Sequence, residues 1–120
     1  MSAPFHYADF TVDPAPTRDS LIRQLNDDHV PVIGLRVTPG FMNLNGGILT
    51  EPGPPTDGHA VLLVGAARYT GPDLGVVEPG DQLMCIQNSW GTSWGANGYA
   101  LIGPRAWDDM VFVSALLTPR

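Results

Sequence analysis

A histidine heads the apolar run GHAVLLVGAARY (58–69), and an asparagine precedes a tryptophan and a glycine in CIQNSWGTSWGANGY (85–99). An imidazole can take up or release a proton near neutral pH. The side-chain oxygen of an asparagine can accept from one ring nitrogen and leave the other free for chemistry. His59 and Asn88 are therefore a candidate general base and the group that orients it. Trp90, two residues further on, can cover the bond between them and keep water from competing for it. Taken singly, each is an ordinary strand-end or core residue; the combination is what points to catalysis. The two side chains meet only if the run after His59 is a strand paired with the strand that leads to Asn88.

Acyl transfer also needs a nucleophile, and the sequence holds one cysteine. Side chains alternate between the two faces of a strand. Cys85 lies three positions before Asn88, so a side chain at 85 faces away from one at 88, between Met84 and Ile86 in an apolar run. A free cysteine in such a place acts as a small hydrophobe, and only a bulge before Asn88 would bring it back. Ser89 and Ser93 are weaker candidates still. No nucleophile is expected on this chain.

The elements that must position these residues can be read from local signals. Residues 1–16 contain three prolines and form an extended leading segment, with a short edge strand around Phe5–Val12. Thr17 suits a helix N-cap, Asp19 suits the first turn, and Leu21, Ile22 and Leu25 fall at helical spacing, which predicts a helix over 17–28. VPVIGLRV (30–37) is β-branched and reads as a strand, 38–47 as a loop, and EPGPPTDG (51–58) as irregular chain. HAVLLVGAA (59–67) and QLMCIQNS (82–89) are partner strands joined by a long excursion over 68–81. A Gly-rich turn at 91–98 then leads to strands YALIG (99–103) and MVFVSALL (110–117). Gly95 and Gly98 supply positive φ or close backbone approach, and Trp94 fills core. The sum is an α+β fold in one domain over 1–120: one N-terminal helix and a mainly antiparallel sheet or half-barrel.

Composition closes off several classes. The 120 residues carry a net charge of −6, with six basic residues scattered singly, so there is no electrostatic footprint for nucleic acid or an anionic membrane. No apolar run approaches the ~20 residues of a bilayer span. MSAPFHYADF has neither a basic nor an apolar leader region, so no signal peptide is expected. One cysteine excludes an internal disulfide and suits a reducing compartment, which leads to an expected cytoplasmic location. His6, His29 and His59 are far apart and unaccompanied by cysteine pairs, so neither a metal site nor a cofactor is expected.

GHAVLLVG followed by CIQNSWGTSWGANGYALI resembles the papain-like cysteine peptidases of the papain/cathepsin branch. VPVIGLRV, with FMNLNGGILTEP after it, resembles the family's stretch before the histidine, and AWDDMVFV resembles bacterial members. The resemblance covers roughly 17–117. It implies the right-hand, β-rich half of a two-domain fold with the cleft between domains. It also implies that His59 is general base and acid, that Asn88 orients the imidazole and that Trp90 shields it. The family's nucleophile sits in a Gln…Cys-Gly-Ser-Cys-Trp region of the other half, and nothing like that region is present. Gly58 departs from the acidic or amide residue many members carry there, without being inactivating.

Three readings follow. The chain is half of a cysteine peptidase acting on peptides or proteins, truncated or naturally short, inactive alone and completed by a Cys-bearing chain or by self-association. Alternatively it is a non-catalytic pseudopeptidase scaffold or binding module, or an enzyme that uses His59 without covalent catalysis. The intact His59, Asn88 and Trp90 set favours the first.

Overall fold

A computed structural model describes residues 9–51 and 53–118. Seven strands form one sheet in the order β1-β7-β2-β4-β5-β6-β3. The strands are β1 (Asp9–Asp13), β2 (Val32–Arg36), β3 (Ile48–Leu49), β4 (Gly58–Arg68), β5 (Gln82–Gln87), β6 (Tyr99–Ile102) and β7 (Val111–Thr118). Every pairing is antiparallel except β3 with β6. The expected edge strand is present from Asp9; its anticipated start at Phe5 lies outside the described residues, as does His6.

Helix α1 (Arg18–Asn26) begins where the sequence signals place it. The Ser20 amide donates to Thr17 Oγ1 at 3.1 Å and the Thr17 amide to Ser20 Oγ at 3.2 Å, a reciprocal cap that satisfies two otherwise unpaired donors. Leu21 is fully buried, and Ile22 and Leu25 pack beside it on the core. Two further helices are present. Residues 38–47, expected as loop, contain a single turn α2 (Pro39–Met42), and the stretch before the last strand folds as α3 (Pro104–Met110). Both start on a proline at the first helical position, where its fixed φ is favourable and its missing N–H is no loss. Both are too short to display a 3.6-residue period.

Alternation along β4 and β5 separates two faces. Val61, Leu63, Met84 and Ile86 point inward and are buried under α1 and α3, with Leu35, Ile102 and Trp107 completing the core. The outward face carries a row that crosses six strands. Val12 pairs with Ala115, Ala115 with Val32, Val32 with Leu62, Leu62 with Gln87 and Gln87 with Tyr99. Directly opposed residues share a face, and in this row only Gln87 is strongly polar. Val12, Leu62 and Tyr99 are exposed to 59%, 38% and 40%. Among the described residues no helix is long and apolar enough to cross a membrane.

Candidate active site

His59 is the second residue of β4 and pairs with the buried Leu35 of β2. It shares the inward parity of Val61 and Leu63 but sits at the rim of the sheet, half-buried. Asn88 follows β5 directly and continues the inward parity of Met84 and Ile86; it is only 7% exposed. The hairpin therefore brings ring and amide together, with His59 Nε2 2.8 Å from Asn88 Oδ1.

A second bond fixes the roles. The backbone N–H of Ser89 also lies 2.8 Å from Asn88 Oδ1. A peptide N–H can only donate, so the amide atom facing it is the acceptor oxygen. His59 Nε2 must then carry the proton it donates, which leaves Nδ1 as the nitrogen with a lone pair in the neutral ring. Asn88 Nδ2 is buried without an acceptor among the described residues.

Trp90 stacks on the imidazole, with ring centroids 4.7 Å apart and planes 25° from parallel. The indole stays 40% exposed, so its position is set by what stands behind it. Phe41 meets it edge-on at 5.5 Å and Trp94 at 5.8 Å. Trp94 is buried, as expected, and its Nε1–H donates to the Phe41 carbonyl at 2.8 Å. Phe41 belongs to α2, whose first turn closes through the Phe41 amide donating to Thr38 Oγ1 at 3.2 Å. This supporting aromatic lies in a stretch read as loop; Thr38 followed by Pro39 is the cap-and-proline pair that marks it. In the Gly-rich turn, Gly95 has φ 59° and Gly98 φ 88°, so both hold the left-handed backbone that glycine tolerates. The Asn88 amide donates to the Gly98 carbonyl at 2.9 Å, tying the turn back to the site.

Cys85 lies on the opposite face of β5 and pairs with Gly65. Gly65 is six residues along β4 from His59, roughly 20 Å at the usual strand rise. The one irregularity in this ladder falls in β4 between Leu63 and Gly65, not before Asn88, so the parity of Cys85 stands. The side chain is half-buried, and burial raises its thiol pKa, the opposite of what a nucleophile needs. Ser89 and Ser93 are exposed; Ser89 contributes its backbone N–H to Asn88. No group of His, Cys, Asp and Glu that could hold a metal ion occurs among the described residues. What the assembled groups can do is move a proton through an oriented imidazole.

The sequence pattern of the papain family cysteine proteases matches residues 5–110. The chain belongs to the papain family. Cathepsin J of Mus musculus is 42% identical over 64 residues, which make up 52% of this chain and 18% of that protein. A cysteine proteinase of Theileria annulata is 41% identical over 68 residues, 57% of this chain and 14% of that one. The chain thus spans less than a fifth of the length of either relative. Among solved structures, the bromelain protease of Ananas comosus in complex with the E64 inhibitor superposes with a TM-score of 0.71 at 18% identity, over 92% of this chain and 50% of that one. At that identity the likeness speaks for the papain-family fold alone, and it agrees with the mixed helix and antiparallel-sheet architecture described above.

Proposed function

We propose that this papain-family chain supplies the acid–base half of a thiol peptidase site, with His59 as base and acid, Asn88 as its orienting partner and Trp90 as its cover. The single observation behind the reading is the His59 Nε2–Asn88 Oδ1 bond at 2.8 Å, which leaves Nδ1 free to receive a thiol proton. The thiol comes from a cysteine outside these 120 residues, on a Cys-bearing half of the same fold. Nδ1 takes its proton, and the thiolate attacks a peptide carbonyl. His59 then hands that proton to the departing amine, and water, deprotonated by His59, releases the acyl group and restores the thiol.

Two features support a completing half. A recess of about 250 Å³ lined by Val32, Ala60, Leu62, Gln87, Asn88 and Ser89 opens beside the histidine–asparagine pair. It is continuous with the outward apolar row, a surface larger than isolated exposed side chains would make. The substrates of this reading are peptides or proteins. A reducing, cytoplasmic setting is part of it, supported by a lone cysteine with no disulfide partner in the sequence.

The test is hydrolysis of a fluorogenic peptide by the chain alone and mixed with a separately expressed Cys-bearing half of a papain-family protease. Activity is expected only in the mixture, lost with His59→Ala and kept with Cys85→Ala. Activity of the chain alone that vanishes with Cys85→Ala overturns the reading. Activity of the chain alone that depends on His59 but not on Cys85 makes it an acid–base enzyme without a covalent step. A mixture that binds without hydrolysis makes it a non-catalytic module.

A further inference from the structure

The dipeptide Asn-Gly occurs twice, at 45–46 and at 97–98. In such a pair no side chain on the second residue keeps its nitrogen from the asparagine carboxamide. The two copies stand in opposite surroundings.

Asn97 and Gly98 are the central residues of a closed turn. Their φ angles of 56° and 88° fit the left-handed pair of a type I′ turn. The Ala96 amide donates to the Tyr99 carbonyl at 2.8 Å, and the Tyr99 amide to the Ala96 carbonyl at 3.1 Å. The Gly98 N–H is itself held by the Trp94 carbonyl at 2.9 Å, and Gly98 is buried. Before the Gly98 nitrogen can reach Asn97 Cγ, this turn must open.

Asn45 and Gly46 lie between α2 and β3, outside any regular element. Asn45 is exposed. The Gly46 N–H has no hydrogen-bond partner among the described residues. A Cβ on Gly46 or Gly47 would meet no atom within 4 Å, so the backbone after Asn45 runs through open space. No bond of the fold has to break before that nitrogen turns toward the carboxamide.

We propose that Asn45 is a site of spontaneous deamidation and that the folded chain spares Asn97. The Gly46 nitrogen gives its proton to solvent base and attacks Asn45 Cγ. The new C–N bond closes a five-membered succinimide; the Cγ–Nδ2 bond breaks and the nitrogen leaves as ammonia after taking a proton. Water then adds to either ring carbonyl and opens the ring. One opening gives Asp, the other isoaspartate, in which the main chain runs through Cγ. Water is consumed and ammonia released, with no oxidant or reductant involved. The product adds a negative charge to a chain already at −6. It follows directly on Leu44, whose carbonyl accepts from the Gly95 amide at 2.9 Å, so the change falls beside one of the ties of the Gly-rich turn.

Incubation of the folded and the guanidinium-unfolded chain in the same warm, mildly alkaline buffer tests this. Tryptic peptides 37–68 and 69–105 separate the two sites, and mass spectrometry with fragmentation places the exchange of NH for O on its asparagine. Unfolded, the two sites are expected to convert at rates within about threefold of each other, because little in that ensemble tells them apart. Folded, Asn45 should keep about its unfolded rate, and Asn97 should convert about tenfold more slowly or less, since its turn must open first. The acidic variant seen by ion exchange should vanish in Asn45→Gln and persist in Asn97→Gly, and part of the product at 45 should be labelled by an isoaspartate methyltransferase. Equal rates at the two sites of the folded chain overturn the proposal, as does an Asn45 slowed by folding as much as Asn97. An acidic variant that survives Asn45→Gln moves the site elsewhere and overturns it too. Product at 45 that is Asp alone overturns the succinimide step.

Discussion

The imidazole of His59 owes its tautomer to a backbone group that does no chemistry. The Ser89 N–H identifies and holds the oxygen of Asn88, and that oxygen in turn decides which ring nitrogen keeps its proton. Removing the amide frees the ring to rotate and to exchange tautomers. Asn88→Ala should therefore lower kcat/KM of the completed enzyme about 100-fold, the scale expected when a reacting group is displaced by an ångström. Steady-state assays read this, and an unchanged rate would deny Asn88 its orienting role. Cys85 makes the contrasting case. Burial favours the neutral thiol in the folded chain and raises its pKa. Its contribution to stability is then fully present below the thiol pKa of the unfolded chain and is lost as pH rises through the folded value. Alkylation by iodoacetamide at pH 8 should be slower for the native chain than for the urea-unfolded one; an equal or faster native rate would reopen Cys85 as a nucleophile.

At the level of elements, what could be read in the letters was what repeats with a period or carries a cap. Helix α1 announces itself through Thr17 and the spacing of Leu21, Ile22 and Leu25. Strands β4 and β5 announce themselves as short apolar runs bounded by turn-rich chain, and the two-residue repeat of any strand was then enough to put Cys85 and Asn88 on opposite faces. Helices α2 and α3 lack the length to show periodicity, so only Thr38-Pro39 and Gly103-Pro104 mark them. Phe41, which backs Trp90, was hidden for that reason. The Gly-rich turn was legible as a turn, and so was Trp90 as the cover of the histidine–asparagine bond; what stayed hidden was the edge-on support behind the indole. Two glycines separate these kinds of constraint. Gly40, in the first turn of α2, offers its new methyl only ordinary contacts at 3.6 and 3.9 Å. At Gly95 a methyl would run into the Tyr99 carbonyl, with φ already at 59°. Thermal or urea unfolding should show Gly40→Ala neutral or stabilising by about 0.5 kcal/mol and Gly95→Ala destabilising by about 2 kcal/mol or more. Equal effects would mean that the turn does not need its left-handed backbone.

Over the whole molecule, the sheet has one face that is covered and one that is not. The inward face carries α1, α3 and the core; the outward face presents the row from Val12 to Tyr99 and the recess beside Asn88. A completing half seated there would bury Leu62 near the middle of its contact, where charges are least tolerated. Leu62→Glu should weaken association with a Cys-bearing half about tenfold or more, an effect of one to a few kcal/mol at a central contact. It should leave the melting temperature of the isolated chain nearly unchanged, because position 62 is already exposed. Analytical ultracentrifugation and calorimetry distinguish the two effects, and unaltered association would move the partner to another surface.

That row is assembled from places far apart along the chain, from Val12 in β1 to Ala115 in β7. No unfolded or half-unravelled polypeptide can present it, so whatever lies along it recognises only the finished sheet. Occupancy then feeds back on folding by mass action, each tenfold rise in a saturating occupant adding about 1.4 kcal/mol to the folded state. How long the chain lasts among cellular proteases becomes a measure of how often it is accompanied.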